Sequence, residues 1–128
     1  MTTERQIIFH RHYFQDFYVA QNEKVREKIG YVFRIVKTVE KIPEKFLKHL
    51  EGTDGLYEIR VEVGSDIFRM ICSFDKGNVV VLFNAFQKKS QKTPKREIAL
   101  AGKLKKEYIS LKIKRNEKNR SDKKNKKF

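Results

Sequence analysis

The sequence predicts an α+β domain in which an antiparallel β-sheet packs against helices. Three observations support this class: apolar residues at helical spacing between Asn22 and Val39, three consecutive strand-like segments between residues 56 and 88, and a second helical period from Thr93 to Leu111. Strands grouped together along the chain, rather than alternating with helices, are typical of α+β folds. A chain of 128 residues is long enough for one hydrophobic core and one domain.

The N-terminal part is predicted to contain one strand and then helices. Residues 6–12, QIIFHRH, have the composition of a strand, and Phe14, Phe17 and Tyr18 indicate a short helix. Asn22 is a suitable N-cap for a second helix. We expect residues 43–50, PEKFLKHL, to add a further turn or two of helix before the loop EGTDG. The second helix carries one apolar stripe at Val25, Ile29, Val32, Val36 and Val39.

The turn Gly64-Ser65 fixes the expected register of the first hairpin. Glycine at the first position of a two-residue loop is typical of a type II′ turn. Val63 then pairs with Asp66, and Arg60 lies directly opposite Arg69. This register gives one face that is almost entirely apolar, whereas a shift of one residue would bury charges. The predicted core face holds Tyr57, Ile59, Val61, Val63, Phe68, Met70 and Cys72.

The second turn, residues 75–78, sets the register of the last strand. Pairing Asp75 with Asn78 brings Met70 opposite Phe83 and Arg69 opposite Asn84. Polar and basic residues then gather on the face away from the first helices: Arg60, Arg69, Asn84, Phe86 and Lys88.

Two arginines placed opposite each other predict an anion site. Like charges in that arrangement destabilise a hairpin by some tenths of a kcal/mol. A phosphate would reverse the sign, because guanidinium groups contact phosphate oxygens in pairs. The alternative is that Glu58 and Glu62 simply neutralise Arg60.

The C-terminal part is predicted to be a helix followed by a basic tail. Thr93 is a candidate N-cap and Pro94 the first helical residue. Residues 112–128 hold nine Lys/Arg and two Asp/Glu, which is half of the net charge of +14. We expect residues 1–111 to form the domain and residues 112–128 to be a disordered tail that either attracts nucleic acid or aids solubility. The predicted buried stripe of the helix is Ile98, Ala101, Leu104, Tyr108 and Leu111.

The composition argues against several classes of protein. No apolar run approaches the length of a membrane span, and the N-terminus lacks the pattern of a secretory signal. A lone Cys72 forms no internal disulfide, so we expect a cytoplasmic protein with no membrane association. His10 and His12 are expected to face solvent rather than to bind a metal. We expect no metal and no small-molecule cofactor.

Two segments, FLKHLEGTDGLYEIR and FRMICSFDKGNVVVLFNAFQKKSQKTPKREIALAGKLKKEYI, together resemble the RelE/ParE toxin superfamily. The resemblance covers roughly residues 46–109 and is closest to the HigB-type, phage-derived host-addiction toxins. It implies a RelE-like fold and the toxin of a type II toxin–antitoxin system. It also implies an antitoxin partner, expected to be a helix-turn-helix protein, and metal-free cleavage of mRNA on the ribosome.

The resemblance implies site roles for Arg60, Arg69, Lys88, Lys89 and Lys92, and the predicted register adds Glu58, Asn84 and Phe86 as further candidates on the same face. Arg60 and Arg69 are suited to stabilising charge on phosphorus, since they are planar and permanently charged. Lys88 is a further catalytic candidate, and Glu58 is a candidate base. The expected RNA-binding residues are Phe86, which would stack a base, together with Asn84, Lys89 and Lys92.

One departure from the family pattern keeps other functions open. Asn84 stands near the position where many HigB-type relatives have a histidine, and an amide does not shuttle protons. A toxin-derived protein that binds nucleic acid without cutting it is therefore one alternative. A ParE-like poison of DNA gyrase, which needs no phosphodiester chemistry, is another.

Overall fold

The computed structural model describes residues 4–90 and 92–125, with the backbone alone for residues 121–125. Five strands and three helices occur in these residues. In chain order they are β1 (Gln6–Phe9), α1 (Tyr13–Val19), α2 (Glu23–Thr38), β2 (Leu47–His49), β3 (Tyr57–Val63), β4 (Asp66–Asp75), β5 (Val79–Lys88) and α3 (Lys95–Asn125).

One five-stranded sheet organises the molecule, in the order β1-β5-β4-β3-β2. The strands β2, β3, β4 and β5 pair in antiparallel fashion, whereas β1 joins the far edge parallel to β5. The α+β class with a mainly antiparallel sheet is therefore confirmed. A parallel neighbour requires a long crossover, and α1, α2 and the following strands lie between β1 and β5 in the chain.

The register of the β3–β4 hairpin is confirmed. Val63 pairs with Asp66, and Arg60 pairs with Arg69. Gly64 has a φ of 60°, the positive value that the first central position of a type II′ turn requires.

The predicted register of the β4–β5 hairpin is wrong from its first pair, and a bulge shifts it by one further residue. Asp75 pairs with Val79, and a bulge lies between Ile71 and Cys72. Arg69 is therefore opposite Phe86 rather than Asn84, which pairs with Ile71. A bulge changes the direction of the side chains beyond it. The sequence of β5 does not reveal the bulge, because the first five residues of this strand are apolar and show no alternation between its faces.

The sheet carries a core on each face. The first core lies under α1 and α2, and the second lies under α3. The predicted N-cap of α2 is confirmed, since the side chain of Asn22 accepts a hydrogen bond from Val25 N at 3.0 Å. The first core consists of Phe14, Val25, Ile29, Val32, Val36, Ile59, Val61, Phe68, Met70, Cys72, Val80 and Leu82. The second consists of Leu56, Ile71, Val81, Phe83, Ala101 and Leu104.

Residues 47–49 form a strand, so the prediction of further helix over residues 43–50 is wrong. Leu47 pairs with Ile59, and His49 pairs with Tyr57. The edge of β3 offers this short segment backbone partners that an isolated turn of helix would lack. Leu47 also packs against the first core.

The helix α3 extends to Asn125, so the prediction of disorder from residue 112 is wrong for residues 112–125. Residues 126–128 lie outside the described part of the chain. The segment is rich in Lys and Arg, which favour helix, and it contains no Gly or Pro. The prediction of disorder relied on the high charge of the segment and took no account of its lack of helix-breaking residues. Leu111, predicted to be buried, is 45% exposed.

Two polar clusters hold the middle of α3 on the sheet. Asp75 accepts hydrogen bonds from Tyr108 Oη at 2.6 Å and from Lys112 Nζ at 2.7 Å. Glu107 Oε1 lies 2.7 Å from His10 Nε2 and 2.6 Å from Arg11 Nε. His10 is therefore largely buried against α3, contrary to the expectation that it faces solvent.

None of the helices in residues 4–90 and 92–125 combines the length and the apolar character that a bilayer crossing requires.

Candidate functional site

An open cavity of about 530 Å³ lies on the side of the sheet that carries Arg60 and Arg69. The register of β3 and β4 places these arginines opposite each other, and the side chain of Arg69 is 3% exposed while that of Arg60 is 27% exposed. We call this the arginine cavity. Its lining residues are Arg60, Ser65, Ile67, Arg69, Lys88, Lys89 and Ser90.

Glu58 lies between the two arginines and is 5% exposed. Its Oε1 atom is 3.4 Å from Arg60 Nε and 3.5 Å from Arg69 Nε. Its Oε2 atom accepts a hydrogen bond from Thr93 Oγ1 at 3.0 Å. Sequence analysis placed Glu58 on an exposed face, but the start of α3 covers it. The carboxylate is therefore committed to three neighbours inside the protein.

The guanidinium groups retain unused hydrogen-bonding capacity. Among the described residues, Arg60 Nε and Arg69 Nε are buried and have no hydrogen-bond acceptor. Arg69 Nη1 donates to Phe68 O at 3.1 Å. Both Nε atoms are ion-paired with Glu58 at long distance rather than hydrogen-bonded to it. The described lining residues of the cavity include four cations and no carboxylate, so the cavity favours an incoming oxyanion.

The electrostatics lower the pKa of both deep cations in the arginine cavity. Burial lowers the pKa of Arg69, Glu58 opposes the change, and the charge of Arg60 adds to it. Burial also lowers the pKa of Lys88, and the charge of Arg69 adds to that effect. A lysine with a lowered pKa exchanges protons more readily near neutral pH. Lys88 is thus the residue of the cavity best suited to proton transfer.

The end of β5 and the loop after it contain three lysines, and two of these line the arginine cavity. Lys88 and Lys89 line it, whereas Lys92 is exposed and is not among the lining residues. Ser90 Oγ donates to Lys92 O at 3.0 Å, which shapes the loop. Sequence analysis did not single out Ser90 or Ser65, because short hydroxyl side chains in turns give no distinctive signal.

Asn84 and Phe86 lie outside the arginine cavity. Asn84 is 1% exposed, and its Nδ2 atom donates to Glu97 O and to Glu97 Oε1, both at 3.1 Å. Phe86 is partly buried and packs against the second core. Both residues therefore attach the start of α3 to the sheet.

Thr93 and Glu97 are the residues at the edge of the site that sequence analysis missed. Thr93 was read only as a helix cap, yet its hydroxyl donates to Glu58. Glu97 received no role, yet it accepts both hydrogen bonds from Asn84. The available signal was the Thr-Pro pair at the start of the helix, with Glu97 one helical turn after Thr93.

Cys72 is buried, as expected, and burial raises its pKa to about 12. A thiol with this pKa is a poor nucleophile at neutral pH. Across the described residues, no three side chains of His, Cys, Asp or Glu gather in a way that would hold a metal ion.

Comparison with known proteins gives one family and one fold. The family model described as Phage derived protein Gp49-like (DUF891) matches residues 16–106. Among solved structures, the chain is similar to one in the archaeal RelE–RelB complex from Pyrococcus horikoshii OT3, with 22% identity and a TM-score of 0.50. That match covers 72% of this chain and 100% of the other. No curated protein matches.

The structural match confirms the RelE-like fold that the sequence resemblance implied. The matched family segment contains the whole of α2, all of β2 to β5 and the first turns of α3, and so every residue of the arginine cavity. This chain belongs to the family of phage-derived Gp49-like proteins, with the fold of the RelE/ParE toxin superfamily.

Proposed function

We propose that this protein is the toxin of a type II toxin–antitoxin system and acts in the cytoplasm as a ribosome-dependent mRNA endoribonuclease of the HigB type. The observation that carries the proposal is the pairing of Arg60 with a buried Arg69 in an open cavity that also contains Lys88. The family and the RelE-like fold support a toxin. The RelE–RelB structure supports an antitoxin as partner, here proposed to be a helix-turn-helix protein.

The proposed reaction is an in-line attack within the RNA strand. The 2′-oxygen of a ribose forms a bond to the adjacent phosphorus while the bond from phosphorus to the 5′-oxygen breaks. The products are a 2′,3′-cyclic phosphate and a 5′-hydroxyl end. Arg60 and Arg69 stabilise the extra negative charge on the phosphoryl oxygens without a metal. A donor of this kind typically contributes about 2.7–4 kcal/mol to the transition state.

Lys88 is the proposed proton-transfer residue. Its lowered pKa leaves a larger neutral fraction at pH 7 than an ordinary lysine has, so it is suited to exchanging a proton with the 2′-hydroxyl or the 5′-oxygen. Glu58 is the less suitable base, because its two oxygens already contact Thr93 and the arginines. We assign it the positioning of the two guanidinium groups.

The remaining predicted residues take different roles in this proposal. Lys89 contacts the phosphate next to the scissile one from the rim of the arginine cavity, and exposed Lys92 contacts a phosphate farther along mRNA or in the ribosome. Asn84 and Phe86 hold α3 in place. Residue 84 lies outside the arginine cavity, so the absence of a histidine there leaves the proposed catalytic groups complete. This weighs against the alternative of a toxin-derived protein that binds nucleic acid without cutting it.

Primer extension tests the proposal directly. mRNA is taken from cells briefly induced for the full chain, beside cells induced for Arg69→Ala and for Lys103→Ala, an exposed lysine elsewhere on α3. We expect new 5′ ends in step with the reading frame for the wild type and for Lys103→Ala, and none for Arg69→Ala. Growth arrest with intact mRNA would overturn the proposal and favour a gyrase poison.

A further inference from the structure

A second cavity, of about 210 Å³, lies beside the arginine cavity. Its lining residues are Lys28, Lys45, Phe46, Arg60, Glu62 and Gly64. Arg60 lines both cavities, and the turn Gly64-Ser65 borders both. We call the second cavity the aromatic cleft. We infer that it binds one nucleotide of single-stranded RNA next to the scissile phosphate, and this inference rests on the proposed function.

The aromatic cleft presents an aromatic ring at a fixed distance from an active-site arginine. Arg60 N donates to Phe46 O at 2.8 Å, which ties the two residues together through the backbone. The ring of Tyr31, which is 50% exposed, packs edge-on against Phe46 with a centroid distance of 6.4 Å. Such a pair gives a rigid platform on which a nucleobase can stack.

The charges around the platform suit the phosphate that accompanies a base. Lys45 Nζ lies 5.5 Å from the centroid of Phe46, and Lys28 Nζ lies 5.1 Å from that of Tyr31. The described lining residues of this cleft include three cations, Lys28, Lys45 and Arg60, against one carboxylate, Glu62, so their net charge is positive. Stacking of a base is stronger than an exposed cation–π contact. An incoming base therefore displaces the Lys45 ammonium from the ring and leaves it free to bind phosphate.

Single-stranded RNA is the occupant that these features fit best. A duplex stacks its bases internally and exposes phosphates, 2′-hydroxyls and base edges but no base faces, so it would leave the Phe46 ring without a base to stack. An unpaired strand offers a base and a phosphate at each nucleotide. Because Arg60 borders both cavities, a strand whose scissile phosphate lies at Arg60 and Arg69 can place its neighbouring nucleotide on Phe46.

Binding of short RNAs to the full chain tests this inference. The probes are fluorescent single-stranded RNAs of three and eight nucleotides with 2′-O-methyl riboses, which block attack by the 2′-oxygen. The variants are Phe46→Leu, which retains apolar packing, and the double variant K28Q/K45Q. The matched control for Phe46→Leu is Phe74→Leu, which changes an exposed aromatic residue near the C-terminal end of β4. The matched control for K28Q/K45Q is K103Q/K106Q on α3. Thermal melting of each variant confirms that it is folded.

We expect the wild type and both controls to bind the longer RNA more tightly than the shorter one. Phe46→Leu and K28Q/K45Q should lose about tenfold in affinity for the longer RNA, a change typical of losing one stacked base. An unchanged affinity in Phe46→Leu would overturn the inference. No length dependence, or no binding, in the wild type would overturn it as well. Cleavage that depends on Arg69 in cells separates that failure from failure of the proposed function.

Discussion

The two faces of the sheet differ in what they contribute to the protein. Beneath α1 and α2 the face is closed, and Ile59 and Val61 are fully buried there. On the opposite face, α3 covers only part of the sheet, and the uncovered part holds Arg60 and Arg69. Neighbouring residues of β3 thus serve stability and the candidate chemistry in alternation. The turn at Gly64 therefore determines both the packing of the first core and the position of the two arginines, because one register sets the side chains on both faces.

The largest expected effect on stability belongs to the closed face. Ile59→Ala removes a fully buried side chain from the first core. We expect a loss of about 2–5 kcal/mol in the free energy of unfolding, because a cavity remains. Denaturant titration measures this loss, and RNA cleavage per folded molecule should change little. A loss below about 1 kcal/mol would mean that the first core does not dominate stability.

The open face should respond in the opposite way. Arg60→Gln removes one of two like charges that face each other, but it also removes one of the two arginines that pair with Glu58, so stability should change by no more than about 1 kcal/mol in either direction. Cleavage of mRNA on ribosomes should fall about 100- to 1,000-fold. Rates measured in vitro, beside the exposed control Lys106→Gln, check both statements. Retained cleavage would remove Arg60 from the active site.

Much of the difference between the two faces of the sheet could be predicted from the sequence. The alternation of β3 and the Gly64-Ser65 turn were enough to place Arg60 opposite Arg69, because charged and apolar residues alternate strictly in β3. The helical stripe of α2 was equally clear. These predictions succeeded where one face is polar and the other apolar, since such a pattern admits one register.

The missed features are those that depend on contacts across the fold. The bulge between Ile71 and Cys72 lies opposite a part of β5, residues 79–83, that is apolar on both faces, so no alternation marks it. Leu47 joins β3 only because an edge is available there. The strand pattern places Glu58 on the exposed face, but Glu58 is buried and accepts a hydrogen bond from Thr93, which lies just before α3 and far away in the chain. Local patterns do not contain this information.

Glu58 offers a way to sharpen the assignment of roles on the open face. We expect Glu58→Gln to cost about 1.5–3 kcal/mol of stability, since the carboxylate is buried against charged partners. If Glu58 positions the arginines, cleavage should slow while its pH profile keeps its shape. Loss of the acidic limb of the profile would instead identify Glu58 as the base. The control is Glu51→Gln, which changes an exposed carboxylate in the loop before β3, outside both cavities.

Acid should loosen α3 from the sheet before it affects the first core. Hydrogen bonds from Lys112 and Tyr108 lower the pKa of Asp75 from 3.8 to about 2. Because the pKa is lowered in the folded state, this stabilisation is complete above pH 4 and is lost as the pH falls towards 2.

The Asp75 contribution should be about 1 kcal/mol, since the side chain is partly open to solvent and its contacts are screened. Urea titrations between pH 5 and pH 2 should show a smaller decline for Asp75→Asn than for the wild type. The decline should not vanish, because Arg11 and His10 lower the pKa of Glu107 to about 2 in the same way. Equal declines in the two proteins would exclude this role for Asp75.

The smallest effect is expected from the part of α3 that extends past the sheet. Lys114, Arg115 and Lys118 are exposed there, and on a helix their charges have a fixed spacing that a disordered tail would not give them. If this segment contacts ribosomal RNA, replacing all three with Gln should weaken ribosome binding and reduce its dependence on salt. The slope of log affinity against log salt should fall by about 0.7–0.9 for each lost phosphate contact.

The salt series separates two roles for these cations. K89Q on the rim of the arginine cavity is the comparison, because it removes a charge from the proposed mRNA path. We expect Lys89→Gln to lower the cleavage rate as well as the slope, whereas the triple α3 variant should change the slope and leave the rate on saturated ribosomes intact. A slope equal to that of the wild type would mean that the helical extension contributes charge and solubility but no RNA contact.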